Sequence, residues 1–221
     1  MTNTNDVKRI LITGMSRAGT SFTHTLFWDV VGKFTTHQKM SVQDNGFFRL
    51  TEPSCFNYVV PVSDPDIGID LIKQIQIFQQ EYLLEEDGHP LVVVKHHLLM
   101  EAPIEFYDIF DKVLVCVRAP NSWLRSAKKF EPTNIQMQEF EEHTGIPAED
   151  HGKYLYEQAM SLLERVPHSE VLDFHDTEGN IQKLKGIMSH SNPSDVEAKF
   201  RETWLGSSVE GWKFKNGCYR W

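Results

Sequence analysis

Four short stretches of the chain are built on an unbroken apolar run: Ile10–Ile12 within Arg9–Thr13 (RILIT), Leu91–Val94 within Leu91–His97 (LVVVKHH), Val113–Val117 within Lys112–Arg118 (KVLVCVR) and Val171–Leu172 within Glu170–Phe174 (EVLDF). A strand turns successive side chains to opposite faces, so a strand without alternation is one covered on both sides. The first three stretches therefore predict buried strands, and the fourth predicts another strand. Between them the apolar positions recur at helical spacing. Thr20–Val31 predicts a helix, with Thr20 or Ser21 able to cap its start. Ile69–Glu86 carries Ile72, Ile75, Phe78, Tyr82 and Leu83 on one stripe and is closed by Gly88. Further helices are predicted over Ala102–Phe110, from Pro120 to about Phe130, near Thr133–Thr144, over Ala148–Val166 and over Thr177–Ser189. The stretch from Gly32 to Pro65 is broken by Gly46, Pro53, Pro61 and Pro65; a connection of that length predicts a functional surface. The tail, rich in Trp, Gly and Lys, carries no assigned element. Strands that alternate with helices predict an α/β fold, a parallel sheet flanked by helices, in one domain spanning residues 1–221.

Composition narrows the partners. Of 221 residues, 40% are hydrophobic and 24% charged, a globular balance. The formal net charge of -9 argues against a general affinity for nucleic acid or acidic membranes, so a polyanion would need a local basic site. Cys55, Cys116 and Cys218 make no CxxC pair, which fits a reducing compartment. Met1–Lys8 is polar with no signal-like core, and no stretch is apolar enough to span a bilayer. The expectation is a cytoplasmic protein.

The first strand runs into Gly14-Met15-Ser16-Arg17-Ala18-Gly19-Thr20-Ser21, and a helix follows. Strand, Gly-rich loop and helix together present backbone N–H groups and a helix N-terminus to phosphate. Arg17 adds a fixed charge, and Thr20 and Ser21 add hydroxyl donors. The Gly-x4-Gly spacing resembles the P-loop of nucleotide hydrolases, but Thr20 stands where those proteins carry the Lys that reaches the β and γ phosphates. Further along, Arg118 ends the third strand and Ser126 lies eight residues later on the next helix, where both can face the same crevice.

Together these segments resemble the sulfotransferases that use 3'-phosphoadenosine 5'-phosphosulfate (PAPS), of the cytosolic type. RAGTSF is similar to that family's 5'-phosphosulfate loop, and VRAPNSWLRSAKKF to its 3'-phosphate segment. VVVKHHLL is similar to its strand ending Lys-Thr-His, and VLDFHDTEGNIQKLKGI to its later strand and helix; the resemblance spans roughly residues 9–190. It implies a P-loop NTPase-like fold, with PAPS as co-substrate and adenosine 3',5'-bisphosphate as product. Arg17, Ala18, Gly19, Thr20 and Ser21 would hold the 5'-phosphosulfate, and Arg118 and Ser126 the 3'-phosphate. Phe22 and Phe174 fall beside adenine, with plain core packing as the alternative for each. Near the end, where the family supplies an Arg-Lys-Gly contact, this chain offers only Lys213, Lys215 or Arg220.

Sulfuryl transfer to a hydroxyl needs a base, an in-line nucleophile and stabilisation of the leaving phosphate. Nothing in the sequence has metal-ligand spacing, and no metal is expected. His96 and His97 are adjacent, so a strand turns them to opposite faces; His97 shares a face with Lys95. The resemblance places His97 at the family's catalytic His. His37, Asp44 and Glu52 are the other candidates, because some sulfotransferases use a carboxylate after the first helix. Arg17 would stabilise the leaving oxygen, with Lys95 adding charge. The expected acceptor is a hydroxylated small molecule, walled in part by Phe47, Phe48, Phe56, Tyr58 and Phe140. Two other classes share the loop: a P-loop kinase of a nucleotide or metabolite, and a non-catalytic nucleotide-binding module.

Overall fold

The computed structural model describes residues 8–31, 84–86, 89–95, 104–129, 131–210, 213–215 and 218–220. Its centre is a five-stranded sheet in the order β2-β3-β1-β4-β5. The strands are β1 (Lys8–Gly14), β2 (Leu84–Glu86), β3 (His89–Lys95), β4 (Lys112–Val117) and β5 (Ser169–Asp173). β3, β1, β4 and β5 run parallel, and β2 pairs antiparallel with β3 at the edge. Ile10, Leu11 and Ile12 of β1 and Val113–Val117 of β4 are buried whichever face they occupy. That is what continuous apolar runs in the two middle strands require.

Seven helices surround the sheet among the described residues: α1 (Thr20–Val31), α2 (Ile104–Tyr107), α3 (Pro120–Ala127), α4 (Glu131–Thr144), α5 (His151–Arg165), α6 (Thr177–Ile187) and α7 (Pro193–Glu210). They fall into two groups. α1 packs on β1, β3 and α7, and α7 also packs on α6. On the other side α5 packs on β4 and β5 and gathers α3 and α4. The chain crosses from β1 to β3 in one direction and from β4 to β5 in the other. Right-handed crossovers then put α1 and the α3–α5 group on opposite faces.

Three of the helices bury a stripe at three- or four-residue spacing: Gly152, Leu155, Ala159 and Leu162 on α5, Ile181, Leu184 and Ile187 on α6, Val196 and Phe200 on α7. α6 starts on Asp176, whose carboxylate accepts the Gly179 N–H at 2.9 Å. α7 starts with Pro193 at its first position, and the Asn192 side chain accepts the Ser194 N–H at 3.0 Å. Lys185, Glu197, Arg201 and Glu178 tie α6 to α7 through a chain of ion pairs.

Several expectations change. Leu84–Glu86, read as a helix end, is a strand; the remainder of that stripe, residues 69–83, lies outside the described residues. The helix expected over Ala102–Phe110 is a single turn, Ile104–Tyr107. That over Ala148–Val166 opens with a 3-10 turn, Ala148–Asp150, before α5. The tail holds α7 and a hairpin of β6 (Lys213–Lys215) and β7 (Cys218–Arg220). Among the described residues no helix is long and apolar enough to cross a membrane.

Candidate functional site

Parallel strands bring their carboxyl ends to one edge of the sheet. Here that edge carries Gly14 from β1, Lys95 from β3, Arg118 just after β4 and Phe174 just after β5. The direction of chain progression reverses between β1 and β4, which is where ligands lodge in open α/β sheets.

The loop between β1 and α1 is tightly built. Gly14 has φ +113°, and a Cβ there would stand 2.2 Å from the Cys116 carbonyl oxygen. The Met15 N–H donates to that same oxygen at 2.9 Å, so β4 holds the loop's first residue. Arg17 has φ +60°, uncommon outside glycine and characteristic of strained functional loops. Gly19 has φ +94°. Its carbonyl accepts the first helical bond, from Thr23 N–H at 2.8 Å. Gly19, rather than Thr20 or Ser21, therefore precedes the first helical residue. The N–H groups before Thr23 have no carbonyl partner within the helix. They collect at the mouth of the loop, where the helix dipole favours negative charge.

Across the β1–β4 crevice the second basic segment meets this loop. Arg118 Nη1 donates to the Arg17 carbonyl at 3.0 Å and its Nε to Ser122 Oγ at 3.0 Å. Arg17 Nε reaches Ser126 Oγ at 3.4 Å. The Arg118 guanidinium lies 3.9 Å over the Phe174 ring. Among the described residues Arg118 has no carboxylate partner, and burial, with the Arg17 and Arg125 guanidiniums beside it, lowers it to about 10. Such crowding makes the place receptive to an anion, which would relieve both the desolvation and the repulsion. It is a local basic site on a chain of net charge -9.

Phe22 and Phe174 line one small pocket with Ala18, Gly19, Thr23 and Asn180. Phe22 is only 4% exposed and meets Phe200 of α7 edge-on at 5.0 Å, so its ring also belongs to the core. Lys95 is 3% exposed and its charge reaches Cys116. Cys116 lies beneath Gly14, but burial pushes its thiol up to about 12, so it stays protonated and is no nucleophile. Thr20 is buried at the first position of α1, and Ser21 follows it.

The structure thus brings together Arg17, Ala18, Gly19, Thr20, Phe22, Arg118, Ser126 and Phe174. His97, His37, Asp44 and Glu52 lie outside the described residues, as do Phe47, Phe48, Phe56 and Tyr58. Phe140, expected on an acceptor wall, stacks on His151 at 4.2 Å and leans on Tyr154 at 5.1 Å. Lys213, Lys215 and Arg220 belong to the β6–β7 hairpin.

Two residues near the loop carry no sequence signal. Trp123, fully buried, donates its indole N–H to the Ser16 carbonyl at 2.6 Å. His151 packs edge-on against it at 5.4 Å, and its Nδ1 is buried with no hydrogen-bond partner among the described residues. Burial lowers His151 from 6.5 to about 4. The unfolded chain therefore takes up this proton first. The stability contributed by neutral His151 is complete above about pH 6.5 and is lost as pH falls towards 4. Thermal melts of the protein and of His151→Phe test this. Between pH 7 and 5 the melting temperature of the native protein should drop a few degrees further than that of the variant.

The fold and the edge site define an α/β protein with a parallel sheet, helices on its two faces and a basic, glycine-turned loop at its switch point. Comparison with protein-family models, curated proteins and solved structures gives no match.

Proposed function

We propose that the chain is a nucleotide-dependent group-transfer enzyme with a P-loop-like fold. Within that class it is a sulfotransferase that moves a sulfuryl group from PAPS to a hydroxyl of a small acceptor. The observation that carries this reading is the convergence of two distant basic segments, with Arg17 Nε 3.4 Å from Ser126 Oγ and Arg118 bonded to the Arg17 carbonyl. A donor with a 5'-phosphosulfate and a 3'-phosphate needs two such anion cradles, one on each side of the crevice. The buried Thr20 in place of the usual Lys weighs against ATP or GTP chemistry.

The glycine-turned loop, with the N–H groups of Gly19, Thr20 and Ser21, holds the phosphosulfate. Arg118 and Ser126 hold the 3'-phosphate. Phe22 and Phe174 flank the base. In the transfer, His97 takes the proton of the acceptor hydroxyl, whose oxygen forms a new bond to sulfur. The bond from sulfur to the phosphate oxygen breaks in line, and Arg17 and Lys95 stabilise the charge left on adenosine 3',5'-bisphosphate. Arg17 acts as a fixed charge and fork, because guanidinium does not readily give up a proton.

Transfer of labelled sulfate from PAPS to a panel of phenols and alcohols tests the reading. His97→Ala should lower turnover about 10²–10⁴-fold while adenosine bisphosphate still binds. Undiminished turnover would remove His97 as the base and return the role to His37, Asp44 or Glu52. A non-catalytic module would bind adenosine bisphosphate and turn over nothing across the panel.

A further inference from the structure

We infer that Trp123 is a positioning residue for the phosphate loop, fixing the Ser16–Arg17 peptide through its indole N–H. The inference rests on the nucleotide reading of that loop. Trp123 is 0% exposed and its N–H must find an acceptor inside the protein. The acceptor it finds is a loop carbonyl, Ser16 O, at 2.6 Å. A trans peptide is planar, so holding the Ser16 carbonyl towards α3 turns the Arg17 N–H the opposite way. The next carbonyl, that of Arg17, is held by Arg118 Nη1 at 3.0 Å. Two successive peptides are thereby clamped by one segment, residues 118–123, and the strained φ of +60° at Arg17 lies between them.

The indole is fixed from behind. A Cβ at position 152 would stand 2.5 Å from Trp123 Cε3, so only glycine allows the ring its place. His151 backs the ring edge-on and is itself stacked on Phe140. A continuous run of packed groups thus connects the start of α5 to the backbone of the loop, and through it to Arg17. The side chain of Trp123 acts on the loop and not on the nucleotide.

Indole NMR of the 15N-tryptophan protein gives the direct readout, with the Trp123 signal among the five tryptophans assigned by its loss in Trp123→Phe. Saturation with adenosine 3',5'-bisphosphate should move the Trp123 signal. Calorimetry well below the melting temperature should show about tenfold weaker binding in Trp123→Phe. Gly152→Ala keeps the N–H but displaces the ring, and should weaken binding and move the signal before ligand is added. Val113→Ala, at the amino end of β4 and so at the opposite edge of the sheet from the loop, should lower the melting temperature and leave affinity unchanged. If Trp123→Phe does not fold, Gly152→Ala and the signal decide, the signal then being assigned as the one that survives Trp→Phe at each of Trp28, Trp204, Trp212 and Trp221. Native affinity in folded variants, or a Trp123 signal that stays put at saturation, overturns the inference while leaving the nucleotide reading intact. A native protein that binds no adenosine bisphosphate overturns both.

Discussion

Arg118→Ala is expected to raise the dissociation constant for adenosine 3',5'-bisphosphate by about 30- to 1,000-fold, corresponding to about 2–4 kcal/mol. The expectation follows from what the guanidinium does. It is half-buried, close to two other guanidiniums and without a carboxylate partner among the described residues, so its field is available to a ligand anion. It also holds the Arg17 carbonyl and covers Phe174, so its loss loosens the loop and uncovers the pocket wall together. Arg118→Lys should recover only part of the affinity, because an ammonium restores charge without the planar fork that serves Ser122, the loop carbonyl and a phosphate at once. Calorimetric titration at two salt concentrations checks both variants. Affinity within threefold of native in Arg118→Ala would place the nucleotide's phosphates elsewhere.

The second large effect is on stability. Gly14→Ala should cost about 3–5 kcal/mol, a large part of the roughly 5–15 kcal/mol that holds a domain folded. Two penalties add. The φ of +113° is one that L side chains rarely adopt, and the new Cβ would lie 2.2 Å from the Cys116 carbonyl oxygen and 2.6 Å from its nitrogen. Those atoms are backbone of the neighbouring strand, paired in register with Gly14, so no side chain can swing aside to relieve the overlap. Relief requires parting β1 from β4, and with them the Met15–Cys116 bond that holds the loop. Gly145→Ala is the control. Its φ is +69° with nothing within 4 Å of the added Cβ, and it should cost about 1 kcal/mol, the αL penalty alone. Urea midpoints measure the two, and equal costs would mean that the β1–β4 approach is looser than its geometry indicates.

The central strands, the loop and α1 are legible in the sequence because burial on both faces leaves a continuous apolar run, and because glycines mark where the backbone must turn. The opposition of Arg17 and Arg118–Ser126 is legible only as a resemblance; their meeting depends on β1 and β4 being neighbours in the sheet. Leu84–Glu86 reads as a helix end because the apolar stripe before it runs on at helical spacing. The Asp87-Gly88 dipeptide is a two-residue hairpin signal, and the Glu86↔His89 pairing spans it. α7 carries Val196, Phe200 and Trp204 at four-residue steps, and Asn192-Pro193 announces its start; the Gly206-Ser207-Ser208 run beside them hides the pattern. Trp123 cannot be found from its spacing at all. Its role depends on Ser16 and Gly152, which lie far apart in the chain and meet only in the folded protein.

The most direct measurement of the central claim is calorimetric titration of the purified protein with adenosine 3',5'-bisphosphate in the absence of Mg²⁺, beside ATP with Mg²⁺. The paired basic segments predict saturable one-to-one binding of the bisphosphate at micromolar concentrations or below, and weaker binding of ATP. Binding of ATP with Mg²⁺ in preference, or no binding of the bisphosphate, would contradict the account.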